Sequence, residues 1–351
     1  MAVLSRSPLE SLPRPTLVPL LRLLDWVGIV EHSVGSEPDP TSGHCTDDAG
    51  RALGMAALLH DDIAAEVIAE CCLAQLRDSI VAPGQFCLRL DENGIPTNHA
   101  PSDDATARAL WGLSLAATRA LSTDINDAAM DLLEQFDTFT SPYPRAAAHA
   151  VLAATTLLEQ DRSSDVGAQL LFRNMAAVPR RNPERTWVWP EARLGYSNAL
   201  IPESLLAAGE LLGDDRLLRD GLDLLTWLVE YERTDEGHFS FTPAGGRGPG
   251  GRPGFDQQPI EAWSTADACL RAHALTGDPF WSDSVVMAAH WFAGRNDVGL
   301  EMWDHRTGCA YDGLRSDGVN PNQGAESALA LIGTLRDHHL ITTTTENWEF
   351  P

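Results

Sequence analysis

The chain has 351 residues, of which 44% are hydrophobic and 21% are charged, proportions typical of a soluble globular protein. Acids outnumber bases by 50 to 25, and the formal net charge of −25 argues against nucleic acid or an anionic membrane surface as a partner. All of the bases are arginine, which excludes a lysine that forms a Schiff base, anchors pyridoxal phosphate or completes a phosphate-binding loop.

The cysteines and the start of the chain indicate the compartment. None of the 6 cysteines forms a C-x-x-C pair or another zinc-binding spacing, so we expect neither a metal nor another cofactor. No signal-peptide pattern is visible, and the apolar run over 17–30 is interrupted by Pro19, Arg22 and Asp25. These features predict a reduced, cytoplasmic protein.

Two classes of helix alternate along the chain, separated by short turns that contain aspartate, such as LLGDDRLL at 211–218. One class is rich in Ala, Gly and Leu and poor in charge, which predicts buried helices at 47–59, 103–120, 142–159, 198–212, 258–275 and 323–339. The other class is amphipathic, which predicts surface helices at 16–29, 62–78, 124–136, 164–177, 215–232 and 279–293.

Strict alternation of buried and surface helices predicts an all-α protein whose helical hairpins close into an (α/α)6 barrel. We expect one domain over residues 1–340, because no linker or change of composition divides the chain. The polar segment at 341–351 is predicted to be a disordered tail.

The longest predicted loops follow the surface helices and lead to the N-terminal ends of the buried ones, so they gather at one face, where a site is expected. Two of these ends have nearly the same sequence, HCTDDAGRAL at 44–53 and PSDDATARALWG at 101–112. Both are predicted to begin a helix with paired aspartates, which indicates a repeated architecture.

The residues at that face are acids, amides and aromatics, a combination typical of a carbohydrate site: polar groups bind sugar hydroxyls, aromatic rings stack on sugar faces, and paired carboxylates can cleave a glycosidic bond. The acids with catalytic potential are Asp48, Asp104, Glu191, Asp256 and Glu261. The residues expected to contact substrate are His44, Asp47, Asp103, Tyr143, Trp187, Trp189, Tyr196, Asn198, Gln257, Gln258, Trp263, Tyr311, Asn322, Gln323 and Glu326.

Several of these residues also have a purely structural interpretation. Asp47 and Asp103 suit helix N-termini, and Glu261 could close a capping box behind Pro259. Among the acids, a helix N-terminus should lower the pKa of Asp48 and Asp104, which suits a base or nucleophile. The aromatic surroundings of Glu191 and Glu261 should raise the pKa instead, which suits a general acid.

A resemblance to a known family rests on the stretches CTDDAGRAL, SDDATARALWG, YSNALIPESLLAAG, FDQQPIEAW and YDGLRSDGVNPNQGAES. The chain resembles, over about residues 18–335, the helical-toroid, glycosidase-like proteins of bacteria that are often encoded beside, or fused to, glycosyltransferases. The resemblance implies an (α/α)6 fold, carbohydrate chemistry and a functional link to a glycosyltransferase.

Three functions are compatible with the sequence. The leading hypothesis is a glycoside hydrolase that uses carboxylate acid/base catalysis on an oligo- or polysaccharide, with either inversion or retention. The first alternative is a sugar epimerase or isomerase on the same barrel, which would use paired histidines as bases. The second is a non-catalytic glycan-binding partner of a glycosyltransferase.

Overall fold

The computed structural model describes residues 12–182, 186–250 and 254–346. Those ranges contain eleven α-helices: α1 (Thr46–Leu58), α2 (Ala65–Asp78), α3 (Asp103–Thr118), α4 (Thr123–Leu133), α5 (Pro144–Gln160), α6 (Asp165–Asn174), α7 (Leu200–Leu212), α8 (Asp215–Glu232), α9 (Pro259–Thr276), α10 (Pro279–Phe292) and α11 (Ala325–Glu346). Short 3-10 segments at Glu134–Phe136 and Met175–Ala177 extend α4 and α6.

The odd-numbered helices form a closed inner ring. Each packs on the next, from α1 through α3, α5, α7 and α9 to α11, and α11 returns to contact α1. Each even-numbered helix packs outside on the helix that precedes it. The predicted (α/α)6 barrel is therefore confirmed, with the inner ring made by the helices that are poor in charge.

Small residues allow the inner helices to approach closely, as the contact between α1 and α3 shows. A methyl group on Gly112 would overlap the carbonyl oxygen of Gly50, and one on Gly50 would meet the backbone at Ala109. On α5, alanines at six positions are fully buried. The low charge and high Ala and Gly content of these helices thus follow from tight backbone packing in the ring.

The prediction of a sixth outer helix at 16–29 is wrong. The segment forms only a short 3-10 helix, Val18–Leu23, which packs against α11. The chain then reverses: Asp25 Oδ1 accepts hydrogen bonds from the backbone N–H groups of Val27 and Gly28, and Val30 N–H donates to Leu23 O. A side chain that binds the next backbone donors ends a helix by offering them another partner.

The long loops lie at the end of the barrel where the inner helices begin, as expected. Within the described ranges they form five antiparallel strand pairs: β1 (Ser33–Val34) with β2 (Glu37–Pro38), β3 (His44–Cys45) with β6 (Arg89–Leu90), β4 (Ile80–Ala82) with β5 (Gln85–Phe86), β7 (Trp303–Asp304) with β8 (Cys309–Ala310), and β9 (Gly313–Arg315) with β10 (Gly318–Asn320). These pairs shape the rim of the barrel mouth.

Helix α11 continues to Glu346, past residue 340, where we expected the domain to end. Residues 1–11 of that domain, and 347–351 of the tail predicted to be disordered, lie outside the described residues. Among the helices that are described, none combines the length and apolar character needed to cross a lipid bilayer.

Candidate functional site

A cavity of about 660 Å³ opens at the mouth of the barrel. It lies over the N-terminal ends of α1, α9 and α11, and the loops around 31–42, 88–89 and 312–324 form its walls. Seven carboxylates line it: Glu31, Asp39, Asp47, Asp48, Asp256, Asp312 and Glu326. The arginines in its lining are Arg51 and Arg89, so the cavity is strongly acidic.

One arginine joins two of these carboxylates at the cavity wall. Arg51 Nη1 lies 2.9 Å from Asp48 Oδ1, and Arg51 Nη2 lies 2.9 Å from Glu326 Oε2. Asp48 is only 3% exposed, whereas the side chain of Glu326 is 38% exposed. Two carboxylates thus share a single positive charge, and the more buried one is the better place for a proton.

The pKa of Asp48 departs from our expectation. Burial raises it from 3.8 to about 8, the Arg51 guanidinium opposes that rise, and the charges of Glu326, Glu31 and Asp47 add to it. The prediction that the helix N-terminus would lower the pKa of Asp48 is therefore wrong. A dipole at the first turn is a weaker influence than removal of the carboxylate from water.

Asp47, the first aspartate of the first motif, belongs to a different network, which connects the two repeated motifs. Asp47 Oδ2 accepts a 2.7 Å hydrogen bond from Arg108 Nη1, and Arg108 Nη2 donates to the hydroxyl of Tyr196 at 2.6 Å. That hydroxyl donates to Asp104 Oδ2 at 3.0 Å. Asp104 is therefore connected to the mouth cavity through side chains and does not line it.

Asp103 and its neighbours form the start of helices outside the cavity lining. Ser102 caps α3 by accepting a hydrogen bond from Ala105 N–H, while Asp103 Oδ2 accepts from the hydroxyl of Ser141. Tyr143, at the N-cap of α5, is 63% exposed. These contacts agree with the structural interpretation of Asp103.

Glu261 is buried beneath the loop that precedes α7. It accepts hydrogen bonds from the backbone N–H of Ser197 and from the backbone and side-chain amides of Asn198. Ser197 has a left-handed backbone, with φ of 46°. Burial, with the charge of the neighbouring Glu232, raises the pKa of Glu261 to about 8, which is the direction we expected. The side chain, however, binds the loop at Ser197 and does not line the cavity.

Glu191 and the tryptophans beside it lie outside the mouth cavity. Arg145 Nη1 is 2.9 Å from Glu191 Oε1, and Trp189 Nε1 donates to Glu191 Oε2 at 3.1 Å. Glu191 thus has a cationic partner and not the purely apolar surroundings we expected. Trp187 packs edge-on against Trp227, so the ring belongs to an aromatic cluster of the outer layer.

Asp256 lies in the cavity with its side chain 37% exposed. Arg315 Nε is 3.9 Å from its Oδ2, whereas Oδ1 is buried and has no donor among the described residues. Gly313 makes this position possible, because a side chain there would overlap Oδ1. Burial, the main cause, raises the pKa of Asp256, and the charge of Asp312 adds to that rise.

The predicted amides divide between the cavity and the interior. Gln258 and Asn322 line the cavity. Gln257 is buried and donates to Asp297, and Gln323 accepts a hydrogen bond from Thr307 at 2.7 Å. These last two amides therefore hold the loops of the mouth together.

The remaining predicted contacts lie away from the cavity lining. His44 is fully buried, with Nε2 2.9 Å from Asp25 Oδ1. Trp263 is buried in the barrel and packs edge-on against Trp111. Tyr311 donates its backbone N–H to Met302 O and is half-buried in the rim. The predicted aromatic platform is thus not part of the cavity lining.

Sequence reasoning missed several polar residues of the cavity, chiefly Glu31, Arg51, Arg89 and Asp312. Arg51 had a visible signal, since it follows Asp48 by one helical turn within the repeated motif. Asp312 stands in the quoted YDGL stretch, where Asp312 Oδ1 now accepts a hydrogen bond from Gly324 N–H at 2.8 Å. The ion pair of Glu31 with Arg89 joins two loops and had no local signal.

A smaller pocket of about 40 Å³ lies deeper in the barrel. Arg51 lines both spaces, and His149 lines the deeper one with Arg108. His149 Nδ1 is 3.1 Å from the carbonyl oxygen of Arg145, and burial, together with the arginine charges, holds its pKa well below the usual range. This pocket has room for ordered water but not for a sugar ring.

No protein-family model matches the chain, and no curated protein is detectably similar to it. Among solved structures, a sugar epimerase from a ruminal bacterium is 15% identical, with a TM-score of 0.68 over 92% of this chain and 95% of that one. Cellobiose 2-epimerase from Bacillus thermoamylovorans is 12% identical, with a TM-score of 0.71 over 94% and 96%. The GH76 α-mannanase of Bacteroides thetaiotaomicron is 12% identical, with a TM-score of 0.63 over 94% of each chain. At these identities the similarity is one of fold, and the fold they share with this chain is the helical toroid.

Proposed function

We propose that the protein is a glycoside hydrolase whose active site is the mouth cavity. The observation that carries this proposal is the arrangement at Arg51, where a buried carboxyl and a more exposed carboxylate share one guanidinium at the cavity wall. Glycosidic cleavage needs a carboxyl group that holds a proton near neutral pH, which Asp48 beside Arg51 can supply, and a separate ionised carboxylate in the same cavity.

We assign the general acid to Asp48. Its raised pKa, about 8, keeps the carboxyl protonated at neutral pH, so that it can donate the proton to the oxygen of the departing sugar. Arg51 then stabilises the carboxylate that remains. Glu326, on the other side of Arg51, positions the guanidinium and is available to a sugar hydroxyl.

We assign the general base to Asp256. It lines the same cavity, and its side chain accepts no hydrogen bond among the described residues. It is also partly exposed, so it can receive a proton from the attacking water. Asp312, whose charge contributes to the raised pKa of Asp256, is next to it in the cavity.

The cavity also suggests which saccharides are suitable. Even with Asp48 protonated, six carboxylates against two arginines would repel uronic acids and other anionic sugars, and they favour neutral or amino sugars. The lining has enough room for about one or two sugar rings, within the range of ordinary ligand sites. We therefore expect short neutral or amino-sugar ends to be cleaved in preference to acidic chains.

The epimerase alternative receives less support from the geometry. The histidine in the cavity lining is His32, whose side chain is 60% exposed at the rim. His149, the histidine of the barrel interior, lines only the small inner pocket. No described pair of histidines therefore lines a space the size of a sugar.

A saccharide panel tests the proposal. We expect the purified protein to produce new reducing ends from at least one neutral or amino-sugar oligosaccharide, and Asp48→Asn and Asp256→Asn to lose that activity. Asp103→Asn is the matched control, because Asp103 lies outside the cavity lining and should tolerate the change. Interconversion of free epimeric sugars without new reducing ends would contradict the hydrolase proposal and favour an epimerase. Binding without either reaction would favour a glycan-binding protein.

A further inference from the structure

A separate pocket, of about 310 Å³, lies on the outer surface of the barrel beside α8. Its lining consists of four arginines and one aspartate: Arg180, Arg181, Arg216, Arg219 and Asp220. It shares no residue with the mouth cavity. In composition it is the opposite of that cavity.

The positive charge of this pocket is only partly neutralised. Arg180 Nε lies 2.6 Å from Asp220 Oδ2, and Arg181 pairs with Asp220 at 3.6 Å and with Asp223 at 3.0 Å. Arg216 and Arg219 form no ion pair with any described residue. Among the described residues, ion pairs with Asp220 and Asp223 therefore engage only two of the four guanidinium groups.

One guanidinium donor is buried without a partner. Arg180 Nη2 is shielded from solvent and has no acceptor among the described residues. An unsatisfied buried donor is costly, and the cost is larger for a charged group. The donors that an anion in the pocket can reach directly belong to Arg216 and Arg219, which are exposed.

The positive field extends to the N-terminus of α8. Asp214, the N-cap, has its pKa lowered first by hydrogen bonds from the backbone N–H groups of Leu217 and Arg216, and the charges of Arg180 and Arg216 add to that effect. A concentration of arginine around one helix end is unexpected in a chain with a net charge of −25. The carboxylates of Asp214, Asp220 and Asp223 offset part of the repulsion among the guanidinium groups, and a bound anion would offset more of it.

We propose that this pocket binds a small phosphate-bearing molecule. The planar guanidinium fork matches the geometry of phosphate oxygens, and two of the arginines are free of ion pairs with described residues. The volume suits a phosphorylated sugar or a molecule of similar size. The inference is independent of the proposed hydrolase activity, because the two sites share no residue.

Calorimetric titration of the full chain with glucose 6-phosphate, inorganic phosphate and glucose tests the proposal. We expect saturable binding of both phosphate probes, weaker at higher salt concentration, and no binding of glucose to the arginine pocket. Failure of both phosphate probes to bind, or binding of glucose that depends on the same arginines, would overturn the proposal.

Substitutions locate the binding. The double variant Arg216→Gln, Arg219→Gln should bind the phosphate probes at least about tenfold more weakly, because it removes two charged donors. Arg77→Gln, a change at an exposed arginine in the last turn of α2, is the matched control and should bind as the unmodified chain does. Unchanged affinity in the double variant, or affinity lost in Asp48→Asn, would place the phosphate elsewhere and refute the assignment.

Discussion

At the scale of single residues, burial and the sharing of one cation determine the character of the acids at the mouth. Asp47 and Asp48 are adjacent in sequence and both begin α1, yet they bind different arginines on different helices. Asp48 is the more buried of the two, and burial raises its pKa to about 8. Adjacent acids can thus have different chemical roles.

The assignment of Asp48 predicts the pH dependence of the reaction. A general acid must be protonated, so kcat/KM should fall as the pH rises through about 8. Asp48→Asn should lower kcat by about 10²- to 10⁴-fold, because the amide cannot donate that proton. Rates measured from pH 5 to pH 10 on an oligosaccharide that the saccharide panel identifies as a substrate provide the check.

A substrate with an activated leaving group serves as the control for that experiment. Such a substrate needs little protonation, so Asp48→Asn should recover much of its activity on an aryl glycoside and lose the limb near pH 8. Asp256→Asn should not recover. An Asp48→Asn variant that keeps the wild-type pH limb would contradict the assignment.

The residues of the site could be predicted only in part from the sequence. Paired aspartates before a helix marked Asp47 and Asp48, and the FDQQP and NPNQG stretches marked Asp256, Gln258 and Asn322, all of which line the cavity. The direction of the shift in the pKa of Asp48 could not be predicted, because it depends first on burial within the closed ring and then on the charge of Glu326, which lies 278 residues further along the chain.

At the scale of elements, the two repeated motifs form one packed pair. Helices α1 and α3 are neighbours in the inner ring, and Arg108 of the second motif binds Asp47 of the first. The two motifs have similar sequences because each begins an inner helix of the ring. Only the first motif contributes carboxylates to the cavity lining. Asp104, in the second motif, is linked to Asp47 only indirectly, through Tyr196 and Arg108.

The close approach of these helices predicts the effect of one methyl group. Gly112→Ala should reduce the free energy of unfolding by about 1–3 kcal/mol, because the added carbon overlaps the backbone of α1. Chemical denaturation of the variant measures this loss. Gly318→Ala is the control, since a methyl group there meets no atom within 4 Å, and it should leave stability nearly unchanged.

The elements themselves were predicted well wherever helical periodicity was long and uninterrupted. The inner helices begin and end within a few residues of the predicted limits, except α11 at its C-terminal end. The segment at 16–29 was wrong because its apolar pattern is compatible with a helix, and the side chain of Asp25 decides against one. The spacing of apolar residues does not reveal that a side chain will bind the backbone N–H groups that follow it.

At the scale of the whole molecule, buried acids make stability depend on pH. Burial raises the pKa of Asp48, Glu203 and Glu261 to about 8 and that of Glu232 to about 7. The unfolded chain releases these protons near pH 4, whereas the folded chain still holds them. The folded state therefore binds more protons between about pH 4 and pH 8, and its stability falls as the pH rises through that range.

We accordingly expect the free energy of unfolding to be lower at pH 8 than at pH 5.5 by at least about 2 kcal/mol. Denaturation curves at the two pH values provide the measurement. Glu261→Gln should make the dependence less steep, because one of the titrating groups is removed while hydrogen bonds to the Ser197 loop remain possible. Greater stability at pH 8 than at pH 5.5 would show that these acids are ionised in the folded chain.

The salt bridge from Arg51 to Glu326 joins α1 to α11, the first and last helices of the inner ring. During synthesis, α1 leaves the ribosome long before α11 has been made. The cavity wall that contains Arg51 and Glu326 therefore remains incomplete until nearly the whole barrel has been translated. Catalytic competence should consequently arise late and abruptly, and a nascent chain halted before α11 should carry Asp48 without the setting that makes it an acid.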